Sequence, residues 1–147
     1  MFSHIAGCLK AFMKNHNLDM NRTYPLGFTF SFPCVHTSLS KAILLRWTKG
    51  FNCSETVGEN IVQMMQNAID KLEINVKVTV LINDTVGTLM SCAYSEPSTT
   101  IGFILGTGTN ACYVESIDRI GTLTSRPDED AKEVIFFLMA YFLFLQK

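Results

Sequence analysis

Apolar and polar residues alternate along the chain in patterns that predict helices and strands in turn. Residues 2–14 repeat apolar side chains every three to four positions, which predicts an amphipathic helix. Residues 26–32 alternate Leu or Phe with small or hydroxyl residues, which predicts a half-buried strand. Pro33 ends that strand because proline cannot donate to a strand ladder. Further strands are predicted at 76–82 and 101–105.

A second helix is predicted from about residue 57 to residue 72. The segment Thr56–Glu59 matches a capping box, whose first and fourth side chains satisfy backbone N–H groups at a helix start. Residues 111–115 are a candidate hairpin partner for the strand at 101–105. Helices and strands therefore alternate, which favours an α/β fold with ligands gathered where strands end in polar loops.

A continuous apolar run at residues 134–145 departs from this alternation. It has no polar face, so it does not resemble an amphipathic surface helix. It is also shorter than the roughly 20 residues that a membrane-spanning helix needs. The sequence thus predicts no membrane span and assigns the run no structural role.

Composition and charge exclude several classes of protein. Apolar residues make up 48% of the chain and charged residues 17%, which excludes a disordered protein. The 12 basic residues nearly balance the 13 acidic ones, so no nucleic-acid partner is expected. The five cysteines form no C-x-x-C pair and no secretory signal precedes them, which predicts a cytoplasmic location. The three histidines lack metal-ligand spacing, so no protein-held metal is predicted.

Three polar segments are candidates for chemistry. Asp84 follows a predicted buried strand and could accept a proton from an alcohol, although an aspartate there also commonly caps the next helix, which the spacing favours. The glycines of Gly106–Asn110 could let backbone N–H groups hold a phosphate, or could simply form a tight hairpin turn. Lys49, after Thr48, could donate to a ligand hydroxyl or remain solvated.

Taken together, four segments resemble eukaryotic hexokinases in their order and spacing, over roughly residues 2–115. They are Leu26-Gly-Phe-Thr-Phe-Ser-Phe-Pro-Cys34, Trp47-Thr-Lys-Gly-Phe51, Ile82-Asn-Asp-Thr-Val-Gly-Thr-Leu-Met90 and Gly102-Phe-Ile-Leu-Gly-Thr-Gly-Thr-Asn-Ala-Cys-Tyr113.

The resemblance implies a partial actin-like (ribonuclease-H-like) α/β fold, with a mixed sheet and flanking helices. Residues 1–95 would form most of the hexokinase small domain, and residues 96–115 the first hairpin of the large domain. Residues 116–147 would be a divergent tail outside the family sequence.

The resemblance also implies a sugar site and a phosphate site. Asp84 would be the general base for the sugar 6-hydroxyl and would contact the sugar as well. The sugar-binding residues would be Ser31, Thr48, Lys49, Asn83, Asp84 and Asn110. The ATP phosphates would be faced by Gly106, Thr107, Gly108 and Thr109, the last standing where the family usually has serine.

The implied activity is transfer of the γ-phosphoryl group of ATP, with Mg²⁺, to the 6-hydroxyl of glucose or a similar hexose, the first step of glycolysis. The resemblance also allows attachment to the outer surface of mitochondria. However, no phosphate-holding Asp-Leu-Gly-Gly-Thr-Asn-type turn precedes residue 26, and only Glu115 is a match for the two sugar-binding glutamates expected after Asn110. The alternative is therefore a non-catalytic sugar-binding or interaction fragment, and we expect the 147 residues alone to be inactive.

Overall fold

The computed structural model describes residues 1–116, residue 119 and the backbone of residues 133–142. The chain divides into a first unit, Met1–Ile82, and a second unit, Asn83–Lys147. Its elements are α1 (Phe2–Asn15), β1 (Tyr24–Thr29), β2 (Cys34–Ser38), β3 (Lys41–Leu44), α2 (Ile61–Asp70), β4 (Val76–Ile82), α3 (Asp84–Ser95), β5 (Ile101–Leu105), β6 (Thr109–Ser116) and β7 (Glu133–Phe142). This order confirms the α/β class. The predicted assignment of residues 1–95 and 96–115 to two domains stays a prediction.

The core of the first unit is built from one face of each helix and the inner sides of the strands. α1 confirms the helix predicted at 2–14, and its buried residues Phe2, Ala6 and Met13 lie on one face. In α2, Met65 and Ile69 are almost fully buried. Full burial of such side chains contributes about 1.5–3 kcal/mol each. Hydrophobic packing therefore holds both helices to this unit.

The sheet of the first unit pairs β1 with β4 in parallel. β4 occupies the predicted range 76–82, but β1 ends at Thr29 rather than continuing to residue 32 as predicted. The reason is that its partner strand ends: Thr29 is the last residue in register, opposite Ile82, and the Phe30 N–H donates to the Ile82 carbonyl at 2.9 Å. Ser31 therefore lies beyond the strand end.

The other edge of β4 is covered by groups from the same unit. The Gln66 side chain on α2 accepts from the Val78 N–H at 2.9 Å and donates to the Val76 carbonyl at 3.0 Å. Further along, the Leu81 N–H donates to the Leu39 carbonyl at 2.9 Å. An unpaired strand edge invites association with other chains, and these bonds satisfy part of that edge within the chain.

The predicted capping box of the second helix is wrong. α2 begins at Ile61, and Asn60 caps it by accepting from the Val62 N–H at 3.2 Å. Gly58 has a φ of +84°, a left-handed conformation that no α-helix contains. The Thr56 hydroxyl donates instead to the backbone carbonyl three residues earlier, at 2.8 Å. The chain between residues 56 and 60 is therefore a turn.

β2 and β3 form an antiparallel hairpin. The sequence did not predict β2. The reason is its exposure: every residue of β2 after Cys34 is exposed, so the strand carries no alternation of buried and exposed positions.

The second unit contains α3 and an antiparallel sheet in the order β5, β6, β7. β5 occupies the predicted range 101–105, and β6 confirms the predicted hairpin partner. β7 lies largely within the apolar run at 134–145 and pairs with β6, so a strand occupies most of that run. None of the helices in the described part of the chain combines the length and hydropathy needed to cross a bilayer.

Candidate functional sites in the two units

In the first unit, Lys49 and Ser31 are brought together by a tight turn. Lys49 and Gly50 have φ values of +58° and +76°, and the Phe51 N–H donates to the Thr48 carbonyl at 3.1 Å, as in a type I′ turn. Glycine adopts this conformation readily, whereas a lysine there is strained. The Lys49 ammonium then donates to the Ser31 carbonyl at 3.1 Å. Two predicted sugar-binding residues are therefore neighbours.

An aromatic cluster supports this turn from within the same unit. The Trp47 ring meets the Phe32 ring edge-on at 4.6 Å, and the Lys49 ammonium lies 5.6 Å from the centre of the Phe32 ring, within cation–π range. The Trp47 indole N–H donates to the Thr56 hydroxyl at 2.7 Å. Residues on both sides of Thr48 are therefore held by ring packing and hydrogen bonds.

The Thr48 hydroxyl is buried and has no hydrogen-bond partner among the described residues. Burying a hydroxyl without a partner costs about 1–3 kcal/mol. Buried polar groups in native proteins are nearly always paired, so an unpaired one calls for an explanation. A ligand hydroxyl would supply the missing partner.

In the second unit, Asn83 and Asn110 meet at the start of α3. The Asn83 side-chain oxygen caps α3 by accepting from the Thr85 N–H at 2.9 Å. The same oxygen accepts from the Asn110 side-chain amide at 3.3 Å. Asn110 is fixed in turn, because its own oxygen accepts from the Ala111 N–H at 2.9 Å. Two predicted sugar-binding amides thus form one hydrogen-bonded group.

Asp84 is the first residue of α3 and is half-buried. The N-cap is Asn83, so the interpretation of Asp84 as the N-cap is wrong. A carboxylate at the N-terminal end of a helix is stabilised by the helix dipole. One carboxylate oxygen accepts from the Thr85 N–H at 3.0 Å. The structure therefore places Asp84 next to Asn83, whose side chain bonds Asn110.

Residues 106–108 join β5 to β6, and Thr109 and Asn110 begin β6. Leu105 and Thr109 are the last paired residues of the hairpin, and the Gly106 N–H donates to the Gly108 carbonyl at 3.1 Å. The geometry is that of a tight hairpin turn, which was one of the two interpretations of this sequence. The phosphate-binding role of Gly106, Thr107, Gly108 and Thr109 stays a prediction.

Comparison with known proteins gives this arrangement a family. The family model described as hexokinase matches residues 1–94, and a second hexokinase model matches residues 100–137. The chain belongs to the hexokinase family. The second match continues beyond residue 116, and the origin of residues 116–147 stays a prediction.

Relatives and a solved structure agree with this assignment. The chain is 45% identical to hexokinase of Schistosoma mansoni over 120 residues, and 46% identical to human hexokinase-1 over 121 residues, each covering 82% of this chain. A solved structure of Schistosoma mansoni hexokinase complexed with glucose is similar, with a TM-score of 0.84 and 42% identity, covering 91% of this chain and 29% of that one. The similarity confirms the actin-like fold that the sequence implied.

The chain spans only part of the length of its relatives. It covers 26% of the length of the Schistosoma mansoni hexokinase and 13% of the length of human hexokinase-1. The activity, substrates and partners of the whole protein are therefore matters for proposal.

Cys112 lies near the start of α3, where it is buried and hydrogen-bonded. The buried Cys112 thiol donates to the Thr85 carbonyl at 3.3 Å. Burial raises the pKa of the Cys112 thiol, while the Gly102 backbone N–H acts in the opposite direction. In the first unit, burial raises the pKa of Cys34 to about 11. All five cysteines are free thiols.

The largest contribution that sequence reasoning missed is Thr56. It is 5% exposed, and its hydroxyl bonds both the Trp47 indole and a backbone carbonyl. Its place in an apparent capping box concealed this role, and no local pattern pairs Trp47 with a residue nine positions later.

A cavity of about 540 Å³ lies between α1 and α2, but the predicted site residues do not line it. Among the described residues, no three His, Cys, Asp or Glu side chains are placed to hold a metal ion.

Proposed function

We propose that this chain is part of an ATP-dependent hexokinase that transfers the γ-phosphoryl group of ATP to the 6-hydroxyl of glucose or a similar hexose. The observation that carries the proposal is the group formed by Asn83, Asp84 and Asn110. Asn83 is tied to Asn110 at 3.3 Å, and Asp84 follows it at the start of α3. Amide donors beside a carboxylate suit the binding and deprotonation of a sugar hydroxyl.

In this proposal Asp84 accepts the proton of the attacking 6-hydroxyl. Phosphoryl transfer requires mainly positioning of the nucleophile and stabilisation of charge. Asn83 and Asn110 fix the start of α3, where Asp84 is the first residue, and offer polar atoms to the sugar. Family membership supports these roles, because Asp84 and Asn110 lie in the segments that resemble hexokinases.

Sugar contacts are also proposed within the first unit by itself. Thr48 offers a buried hydroxyl without a partner among the described residues, and a sugar hydroxyl would satisfy it. Lys49 carries a positive charge held at the Ser31 carbonyl, 3.1 Å away. A similar solved hexokinase is complexed with glucose, which supports a hexose as the ligand.

ATP would be bound at the hairpin turn of the second unit, where Thr107 and Thr109 offer hydroxyls beside two glycines. Mg²⁺ in such sites is held by one or two carboxylates together with the nucleotide phosphates. The described residues bring no three metal-ligating side chains together. In this proposal Mg²⁺ therefore reaches the site bound to ATP.

Replacement of the proposed base tests the function. In a complete hexokinase that contains this segment, Asp84→Ala should lower kcat by about 10²–10⁴, the usual contribution of a general base. Asp19→Ala is the matched control, because Asp19 is an exposed loop carboxylate whose side chain, among the described residues, accepts from the Asn21 N–H at 2.9 Å. A coupled assay for glucose 6-phosphate measures both variants. Near-normal turnover of Asp84→Ala would refute the proposed role.

For the 147 residues by themselves we propose the alternative, a non-catalytic sugar-binding or interaction fragment. Only Glu115 matches the two glutamates that the resemblance assigns to the sugar. Charged hydrogen bonds contribute about 1.5–3 kcal/mol each, so losing one would weaken sugar affinity by about 10–10² and losing both by about 10²–10⁴. The same coupled assay on the 147 residues should show no product above a no-protein control, and product formation would exclude this alternative.

We also propose a cytoplasmic location. All five cysteines are free thiols, as expected for a reducing compartment. Imaging of a fluorescent fusion in the cell tests this location, and labelling of the mitochondrial surface would replace it with the attachment that the family resemblance allows.

A further inference from the structure

Gly102 on β5 lies where the hairpin comes closest to α3. A Cβ atom at Gly102 would lie 2.7 Å from the Thr85 carbonyl oxygen, 2.8 Å from the Leu89 Cβ and 2.9 Å from the Cys112 sulfur. One of these neighbours is backbone, which cannot move away as a flexible side chain can. Only glycine therefore allows the strand and the first turn of α3 to approach this closely.

Cys112 makes a second contact to the same carbonyl group. It lies opposite Gly102 in the β5–β6 register, and its thiol donates to the Thr85 carbonyl at 3.3 Å. Because burial raises its pKa, the thiol keeps its proton at neutral pH and remains a donor. Gly102 and Cys112 thus contact one peptide group from neighbouring strands.

Thr85 connects these contacts to the proposed sugar site. Its carbonyl meets Gly102 and Cys112, while its N–H is bonded by the side chains of Asn83 and Asp84 at 2.9 and 3.0 Å. Thr85 is 0% exposed, so packing fixes it on all sides. Any displacement of its carbonyl would be passed within one residue to the proposed base.

We propose that Gly102 and Cys112 are positioning residues that hold the start of α3 so that Asn83 and Asp84 meet Asn110. The inference rests on the proposed function only in its purpose, which is to align the residues of the proposed sugar site. Asn110 lies on β6 two residues before Cys112, so the strand that carries the amide also fixes the helix start. A misplacement of about 1 Å can cost about 10² in catalytic rate.

Nuclear magnetic resonance on the 147-residue chain tests the positioning. In Gly102→Ala, the cross-peak between the Asn110 side-chain amide and the first turn of α3 should be lost, and glucose affinity should fall at least about tenfold. Gly27→Ala is the matched control, because a Cβ there would meet only the Val80 side chain at an ordinary 3.7 Å. The control should retain both signals.

Two milder variants keep the test decisive if Gly102→Ala prevents the second unit from folding. Cys112→Ala removes the donor to the Thr85 carbonyl, whereas Cys112→Ser restores one. The cross-peak should weaken in Cys112→Ala and recover in Cys112→Ser. An unchanged cross-peak in both Gly102→Ala and Cys112→Ala would overturn the inference.

The two proposals fail in distinguishable ways. If the unaltered chain shows no glucose-dependent shifts, the sugar-binding proposal fails for these 147 residues, while the cross-peak still decides whether Gly102 and Cys112 position α3. If glucose binds and the cross-peak survives every variant, the positioning inference alone is wrong.

Discussion

Helices α2 and α3 begin in the same way, although they belong to different units. Each is capped by an asparagine whose oxygen accepts the backbone N–H two residues later, at 3.2 Å for Asn60 and 2.9 Å for Asn83. Each oxygen also accepts a second bond of 3.3 Å from a donor on a neighbouring strand, Ala42 for Asn60 and Asn110 for Asn83. The capping geometry alone does not distinguish a structural helix start from a functional one.

The difference lies in the second donor and in the residue after the cap. At α2 the donor is the backbone N–H of Ala42, and the next residue, Ile61, is 0% exposed. At α3 the donor is a side-chain amide, and the next residue is the half-buried carboxylate of Asp84. The α2 cap thus precedes a core residue, whereas the α3 cap precedes the proposed general base.

Truncating the residue after each cap should give the largest difference. Ile61→Ala removes buried core volume and should lower the free energy of unfolding by about 2–5 kcal/mol. Asp84→Ala removes an interaction with the helix dipole and should lower it by less than about 1 kcal/mol. Urea unfolding measures the free energy of unfolding of both variants. The fluorescence of Trp47 reports on the first unit, and the reactivity of the Cys112 thiol reports on the second.

A milder variant serves as the control for this comparison. Ile61→Val keeps most of the buried volume and should cost about 0.5–1.5 kcal/mol, so it reports on the first unit even if Ile61→Ala does not fold. Equal costs for Asp84→Ala and Ile61→Ala would mean that Asp84 is a core residue and would remove the contrast between the two helix starts.

The two caps also show how far the sequence predicts the fold. The Thr56–Glu59 segment satisfies the capping-box pattern, yet Gly58 is left-handed and Thr56 bonds Trp47, so the helix begins at Ile61. The pattern indicates which side chains are able to cap a helix. It does not indicate that the Trp47 indole donates to the same hydroxyl.

The candidate site was predicted as a set of residues, without their contacts. The family motifs name Asn83, Asp84 and Asn110, but only the β5–β6 register brings Asn110 to the α3 start. Similarly, a continuous apolar run has no periodicity that separates strand from helix. The pairing of β7 with β6 therefore came only from the structure.

Removing the caps themselves should give an intermediate difference. Loss of an N-cap costs about 0.5–2 kcal/mol in either helix. Asn60→Ala should cost about 1–3 kcal/mol more, because it leaves the N–H of the fully buried Ala42 without an acceptor. After Asn83→Ala, the half-buried Asn110 amide can hydrogen-bond to water instead. Its loss of a partner therefore adds little to the cost of removing the cap.

Urea unfolding of Asn60→Ala and Asn83→Ala measures this difference, and the aspartate variants provide the control. Asn60→Asp and Asn83→Asp keep a side-chain oxygen that can accept from the backbone, so each should retain most of the stability lost in the alanine variant. A larger cost at Asn83 than at Asn60 would show that the α3 cap is the more structural of the two.

The smallest expected effects concern two threonines, one in each unit. The hydroxyls of Thr48 and Thr85 are both buried without a hydrogen-bond partner among the described residues. Replacing such a hydroxyl with a methyl group of similar shape is close to neutral or stabilising. Thr48→Val and Thr85→Val should therefore change the free energy of unfolding by no more than about 1 kcal/mol, without destabilisation.

Glucose titration distinguishes the two variants, because Thr48→Val should lose a sugar contact whereas Thr85→Val should bind glucose as the unaltered chain does. Equal glucose affinity in both variants would show that the unpaired hydroxyl of Thr48 is not part of a sugar site.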